Sequence, residues 1–149
     1  MTVQKELLAP CGLYCGACAI RGAYLSDDPA FKDKVAAGYG VKVEDLRCEG
    51  CLSENPFLYC RSCAIKSCVK EKGYEGCFQC ADFPCSLVEA FPFPAGKAVI
   101  LAAVPEWKEL GTEKWVEAQK KRYTCTACGS PLFRGSKRCR KCKAEVPAD

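Results

Sequence analysis

CGLYCGAC, residues 11–18, places three thiols within eight residues at the spacing C-x3-C-x2-C. Glycine follows the first two, at Gly12 and Gly16, where a tight turn lets backbone N–H groups face sulfur. Twelve more cysteines follow, most in pairs with two residues between, and the chain has no histidine.

Fifteen cysteines in 149 residues is a density of disulfide scaffolds and of metal scaffolds. Compartment separates the two. The stretch MTVQKELLAPC has one lysine and no apolar run of signal-peptide length. The longest apolar run, AVILAAV at 98–104, is too short to cross a bilayer. A reducing cytoplasm is therefore expected, and no membrane partner. There, cysteine pairs read as metal ligands or redox thiols, and an odd count argues against complete pairing into disulfides.

The most specific spacing lies in YTCTACGSPLFRGSKRCRKCKAEV, residues 123–146. Cys125 and Cys128 form one C-x2-C, Cys139 and Cys142 another, with ten residues between. Two such knuckles on short β-hairpins present four sulfurs tetrahedrally to zinc, at about 2.3 Å each. The unit is too small to fold on apolar burial, and a structural zinc ion typically supplies roughly 10–16 kcal/mol. A four-cysteine zinc ribbon is the expectation, with a rubredoxin-like iron site or a redox thiol pair as alternatives.

Eleven cysteines remain: Cys11, Cys15, Cys18, Cys48, Cys51, Cys60, Cys63, Cys68, Cys77, Cys80 and Cys85. Two four-thiolate sites use eight and leave three, which are either spare thiols or, completed by a carboxylate, water or substrate, an open third site as catalytic zinc sites are. A sequential grouping is 48/51/60/63 and 68/77/80/85, with 11/15/18 left over; interleaved grouping is equally compatible with the spacing. Thiolate-only sites suit zinc, expected in two or three further sites here, or an iron–sulfur cluster as the alternative. The ferredoxin run C-x2-C-x2-C-x3-C-P is absent. C-x3-C-x2-C also looks like the radical S-adenosylmethionine signature, but the chain has neither the βα repeat nor the length for that barrel.

Asp27-Asp28-Pro29 reads as a helix start, with Phe31, Val35 and Tyr39 on one face turned to the cysteine core and an end near Gly38 or Gly40. CRSCAIKSCVKEKG, 60–73, reads as one unbroken helix stopping at Gly73. Residues 95–122 read as helical pieces broken at Pro105 and Gly111, the last capped by Thr112 and anchored by Trp115. These features predict an α+β, loop-rich, metal-stabilised fold: a cysteine-rich domain over 1–93, a helical connector over 94–122 and a zinc ribbon over 123–149.

CGLYCGAC, followed by CEGC, CRSCAIKSC, CFQCADFPC and GTEKWVEAQKKRYTCTACGSPL, resembles the cysteine-rich family called domain of unknown function 3795, from about residue 8 to 133. The resemblance implies metal ligation by the eleven cysteines from Cys11 to Cys85 and implies no reaction.

Formal charge is +4, yet nine basic residues and no acidic one lie between Lys120 and Lys143. Tyr123 and Phe133 interleave with them, a pattern suited to nucleic-acid backbone contact and stacking. An acidic protein partner fits the same charge, and the bland alternative is offset of thiolate charge. With no histidine as general base and no spaced carboxylate pair, the sequence leans away from an enzyme. The expected function is a non-catalytic zinc-binding interaction module; an iron–sulfur or thiol-based redox protein is the alternative.

Overall fold

The computed structural model describes residues 3–147. About half of the chain is helical. The expected β component is nearly absent: among the described residues only two isolated antiparallel bridges occur, Thr124 with Pro131 and Arg138 with Glu145. Sulfur-bearing loops leave few residues for ladders, and the helices carry the packing.

Helix α1 (Ala19–Tyr24) leaves the CGLYCGAC stretch directly. Helix α2 (Pro29–Tyr39) forms as its sequence predicts. The Asp28 carboxylate accepts from the Ala30 N–H at 3.0 Å, and Gly40 ends the helix in the left-handed region at φ 68°. Its Val35 and Ala36 pack with Ile20, Ala23, Leu46, Cys48 and Phe57 in a small core.

The expected single helix over 60–73 is two. Helix α3 (Leu58–Arg61) stops at Ser62, and α4 (Ala64–Glu71) starts after an extended Cys63. The Cys63 carbonyl then accepts from the Ser67 N–H at 3.1 Å. The break matters to the thiols, because it turns Cys60 and Cys63 toward different neighbours.

After α5 (Ser86–Glu89), helix α6 (Pro94–Leu110) runs through Pro105 instead of ending there. Proline removes one helical hydrogen bond, but Ile100, Ala103, Val104 and Trp107 form a continuous buried face across it. Gly111 does separate α6 from α7 (Thr112–Arg122). Thr112 is not a cap; its Oγ1 accepts from Trp107 Nε1 at 3.0 Å.

The two long helices meet through tryptophan. Trp107 and Trp115 stack at 4.3 Å between centroids and 5° between planes. Phe78 stacks on the far face of this pair against Trp107 at 4.5 Å, and Tyr14 meets Trp115 edge-on at 6.0 Å. Such contacts add about 0.5–1.5 kcal/mol each beyond area burial. Phe78 lies between Cys77 and Cys80, and Tyr14 between Cys11 and Cys15, so the column joins two cysteine turns to the α6–α7 pair. One core cluster accordingly holds Leu7, Cys77, Trp107, Trp115, Leu132 and Cys139 together.

Candidate metal centre

The C-terminal knuckles have matching backbones. In the first, the Gly129 N–H donates to the Cys125 carbonyl at 2.8 Å; in the second, the Lys143 N–H donates to the Cys139 carbonyl at 3.0 Å. Gly129 and Lys143 are both left-handed, at φ 76° and 66°. Glycine is suited to that region, and lysine is not. Gly129 marks its turn in the sequence, and Lys143 gives no such mark.

These turns bring Cys125, Cys128, Cys139 and Cys142 together, with all four sulfurs within 4.8 Å of one another. Cys125 and Cys142 are 3.6 Å apart, as are Cys128 and Cys139. A tetrahedron with zinc–sulfur bonds of about 2.3 Å has edges of about 3.8 Å, so the set fits one ion. Hydrogen bonds from Ser130 hold the Cys128 thiol down at about 6, and backbone N–H groups of Cys142 and Lys141 lower Cys139. Donors aimed at sulfur favour the thiolate that a metal needs. This cluster can hold a metal ion.

The segment that carries these four cysteines is docked on the rest of the chain. The Arg134 N–H donates to the Ala17 carbonyl at 2.9 Å, and its Nη1 donates to the Tyr14 carbonyl at 2.7 Å. Phe133 stacks on Phe31 of α2 at 5.5 Å. Gly22 makes the approach possible: a Cβ there would strike the Phe133 ring.

The eleven other cysteines fall into two neighbourhoods. Cys15, Cys18, Cys48, Cys51 and Cys60 make up the first. The Cys51 N–H donates to Cys15 Sγ at 3.3 Å. Burial pushes the Cys15 thiol up to about 12, and Cys18 and Cys48 push the same way. Burial also raises Cys48, beside Cys18 and Cys60. Cys51 and Cys60 share a side-chain hydrogen bond that lowers Cys60 to about 7 and raises Cys51. In the second neighbourhood, burial pushes Cys77 up to about 11, with Cys85, Cys80, Cys68 and Cys63 adding to it. Cys11 bridges the two: burial pushes it up to about 12, Cys63 and Cys77 add to the rise, and Cys11 in turn raises Cys51. Gly16 has a role beyond the tight turn expected of it, since a Cβ there would collide with the Tyr14 ring.

Residues 7–90 match the family described as "Protein of unknown function (DUF3795)". The chain belongs to this family. No curated protein and no solved structure matches it. All eleven cysteines from Cys11 to Cys85 lie inside the DUF3795 segment, and the four C-terminal cysteines lie outside it, so the matched span stops well short of residue 133.

Sequence reasoning missed three cations around the DUF3795 thiols. Lys66 is buried at 8% exposure, and its Nζ donates to the Cys51 carbonyl at 3.0 Å. Its charge helps lower Cys60, as does that of Arg134. Lys72 Nζ lies 3.5 Å from Cys80 Sγ. For Lys72 the spacing held a usable signal, since it follows Cys68 by four residues on a helix. Arg134 held none, because its contact to Tyr14 spans 120 residues.

Proposed function

We propose that the chain is a zinc-binding, non-catalytic interaction module in which metals build the surface and no reaction is run at them. The observation that carries this is the gathering of Cys125, Cys128, Cys139 and Cys142 within 4.8 Å. Four sulfurs that close together suit one ion with every position filled, the pattern of structural zinc. An iron–sulfur cluster divides its four cysteine sulfurs among two or four irons and needs a wider spread. The fifteen cysteines, Cys11 to Cys142, are the ligand pool, and a reducing cytoplasm keeps them available.

For the partner, the basic segment contributes less than its charge implies. Arg122 pairs with Glu106, Arg138 with Glu145 and Arg140 with Asp28, while Arg134 and Lys143 donate to backbone carbonyls. Tyr123 is buried, and Phe133 is stacked on Phe31. Lys121, Lys137 and Lys141 are exposed and suit a phosphate backbone or an acidic protein surface. Contact through three lysines predicts a shallow slope of log affinity against log salt, about −2 to −3 for duplex DNA. Elemental analysis of the full chain purified without oxygen tests the core of the proposal. At least one zinc per chain, lost in Cys139→Ser, supports it; no zinc, or zinc unaffected by that substitution, refutes it.

A redox reading is favoured by the pairing of Cys60 with Cys51, which lowers the Cys60 thiol and raises its partner. A thiol lowered in this way is a better nucleophile than neighbours that burial raises. Brown protein with iron and labile sulfide would support this reading over zinc in the N-terminal half.

A further inference from the structure

Three short elements converge behind α4. Helix α4 supplies Cys68 and, one turn later, Lys72, whose N–H donates to the Cys68 carbonyl at 3.1 Å. A 3-10 turn over Cys77–Gln79 supplies Cys77 and Cys80, closed by the Cys80 N–H donating to the Cys77 carbonyl at 3.1 Å. That turn is fixed to the start of the chain, since the Cys77 N–H donates to the Pro10 carbonyl at 2.9 Å. Cys85 directly precedes α5. Cys68, Cys77, Cys80 and Cys85 line one cavity, with Ile65, Val69 and Phe83 as its apolar wall.

We infer that Cys68, Cys77, Cys80 and Cys85 form a four-thiolate metal centre of their own, distinct from the ribbon site, with Lys72 as the outer donor to the Cys80 sulfur. The inference rests on the reading of the chain as metal-bound and assigns one further ligand set within it. Cys63, just before α4, raises Cys77 as well as Cys11, but it does not line this cavity.

The chemistry balances simply. Each thiol exchanges its proton for a metal–sulfur bond, and the protons leave to solvent. Four thiolates on one divalent ion leave about two negative charges. Lys72, 3.5 Å from Cys80 Sγ, offsets one of them, and Asp82 lies 3.9 Å from the same ammonium. A donor to a ligand sulfur also lowers its electron density, as outer partners of metal ligands do. The four sulfurs are spread more widely than the ribbon's set. Binding one ion therefore turns these side chains inward, whereas a cluster fills the wider space.

The test uses the full chain purified without oxygen, with zinc, iron and labile sulfide counted per chain. Cys80→Ser and Cys85→Ser are expected to lose the same complement, either one zinc or one cluster's iron and sulfide, while keeping the ribbon ion. Cys139→Ser is expected to lose only the ribbon ion. Unchanged metal in both the Cys80 and Cys85 variants, with Cys139→Ser still losing its ion, overturns this centre and leaves the proposed function standing. Lys72→Gln keeps all four sulfurs and serves where the serine variants fail to fold. In cobalt-loaded protein it should shift the sulfur-to-cobalt absorption to longer wavelength at unchanged cobalt count. An unshifted band removes Lys72 from the site.

Discussion

Arg140 lies 3.0 Å from the Asp28 carboxylate, across 112 residues of chain, and sits 3.6 Å above the ring of Phe31. The same carboxylate caps α2 through the Ala30 N–H. One side chain thus starts a helix and fastens the ribbon to it. Asp28→Ala removes both functions and should lower the melting temperature by roughly 2–5 °C. Asp28→Asn keeps a cap and loses the ion pair, so its shift should be smaller and vanish in high salt. Backbone hydrogen bonding from Phe31, then Arg140 and Ala30, holds the Asp28 carboxyl below its ordinary 3.8. A depressed acid stabilises the fold above that value and stops doing so as pH falls through it. The Asp28→Ala deficit should therefore shrink below pH 4, as read from melting curves across pH.

Trp107 is fully buried between Phe78 and Trp115. Trp107→Ala should cost about 3–5 kcal/mol in urea unfolding of metal-loaded protein. Trp115 differs in one atom: among the described residues its Nε1 is buried with no hydrogen-bond partner. Leaving such a donor unpaired costs about 1–3 kcal/mol. Trp115→Phe removes the donor and keeps a ring, whereas Trp107→Phe gives up the bond to Thr112. The Trp115 variant should thus be the more stable of the two; the reverse order would contradict the packing described.

Gly22 admits the Phe133 ring, so Gly22→Val should push the ribbon off α1 without touching any sulfur. Metal content should stay at the wild-type value while limited proteolysis cuts faster between α7 and the ribbon. Loss of metal in this variant would mean that docking and ligation are one event.

What was legible in the sequence follows from what each signal depends on. The C-terminal four-cysteine set could be read because its geometry is local: two knuckles and a ten-residue span. Helix α2 could be read because cap, proline and glycine all act within one segment. The grouping of the eleven other thiols could not. It turns on the backbone break at Ser62–Cys63, which no glycine or proline marks, and on α6 continuing through Pro105 to bring Trp107 onto Phe78. The docking of residues 133–134 on residues 14–17 and 31 is likewise a long-range event without a local pattern.

Lys143 offers the sharpest test of the ribbon itself. It occupies at φ 66° the place that Gly129 takes in the sister knuckle. A left-handed residue with a Cβ costs about 1–2 kcal/mol, and here the Lys143 Nζ bond to the Arg140 carbonyl at 3.0 Å returns part of it. Lys143→Gly removes strain and bond together, so the ribbon should hold its ion against a chelator as long as the wild type or longer. Lys143→Val keeps the strain, adds β-branching and loses the bond, so chelator should strip the ion several-fold faster. The measurement is the rate of metal transfer to a coloured chelator under reducing conditions. Equal rates for the valine and glycine variants would show that this turn does not govern how firmly the second knuckle presents Cys139 and Cys142.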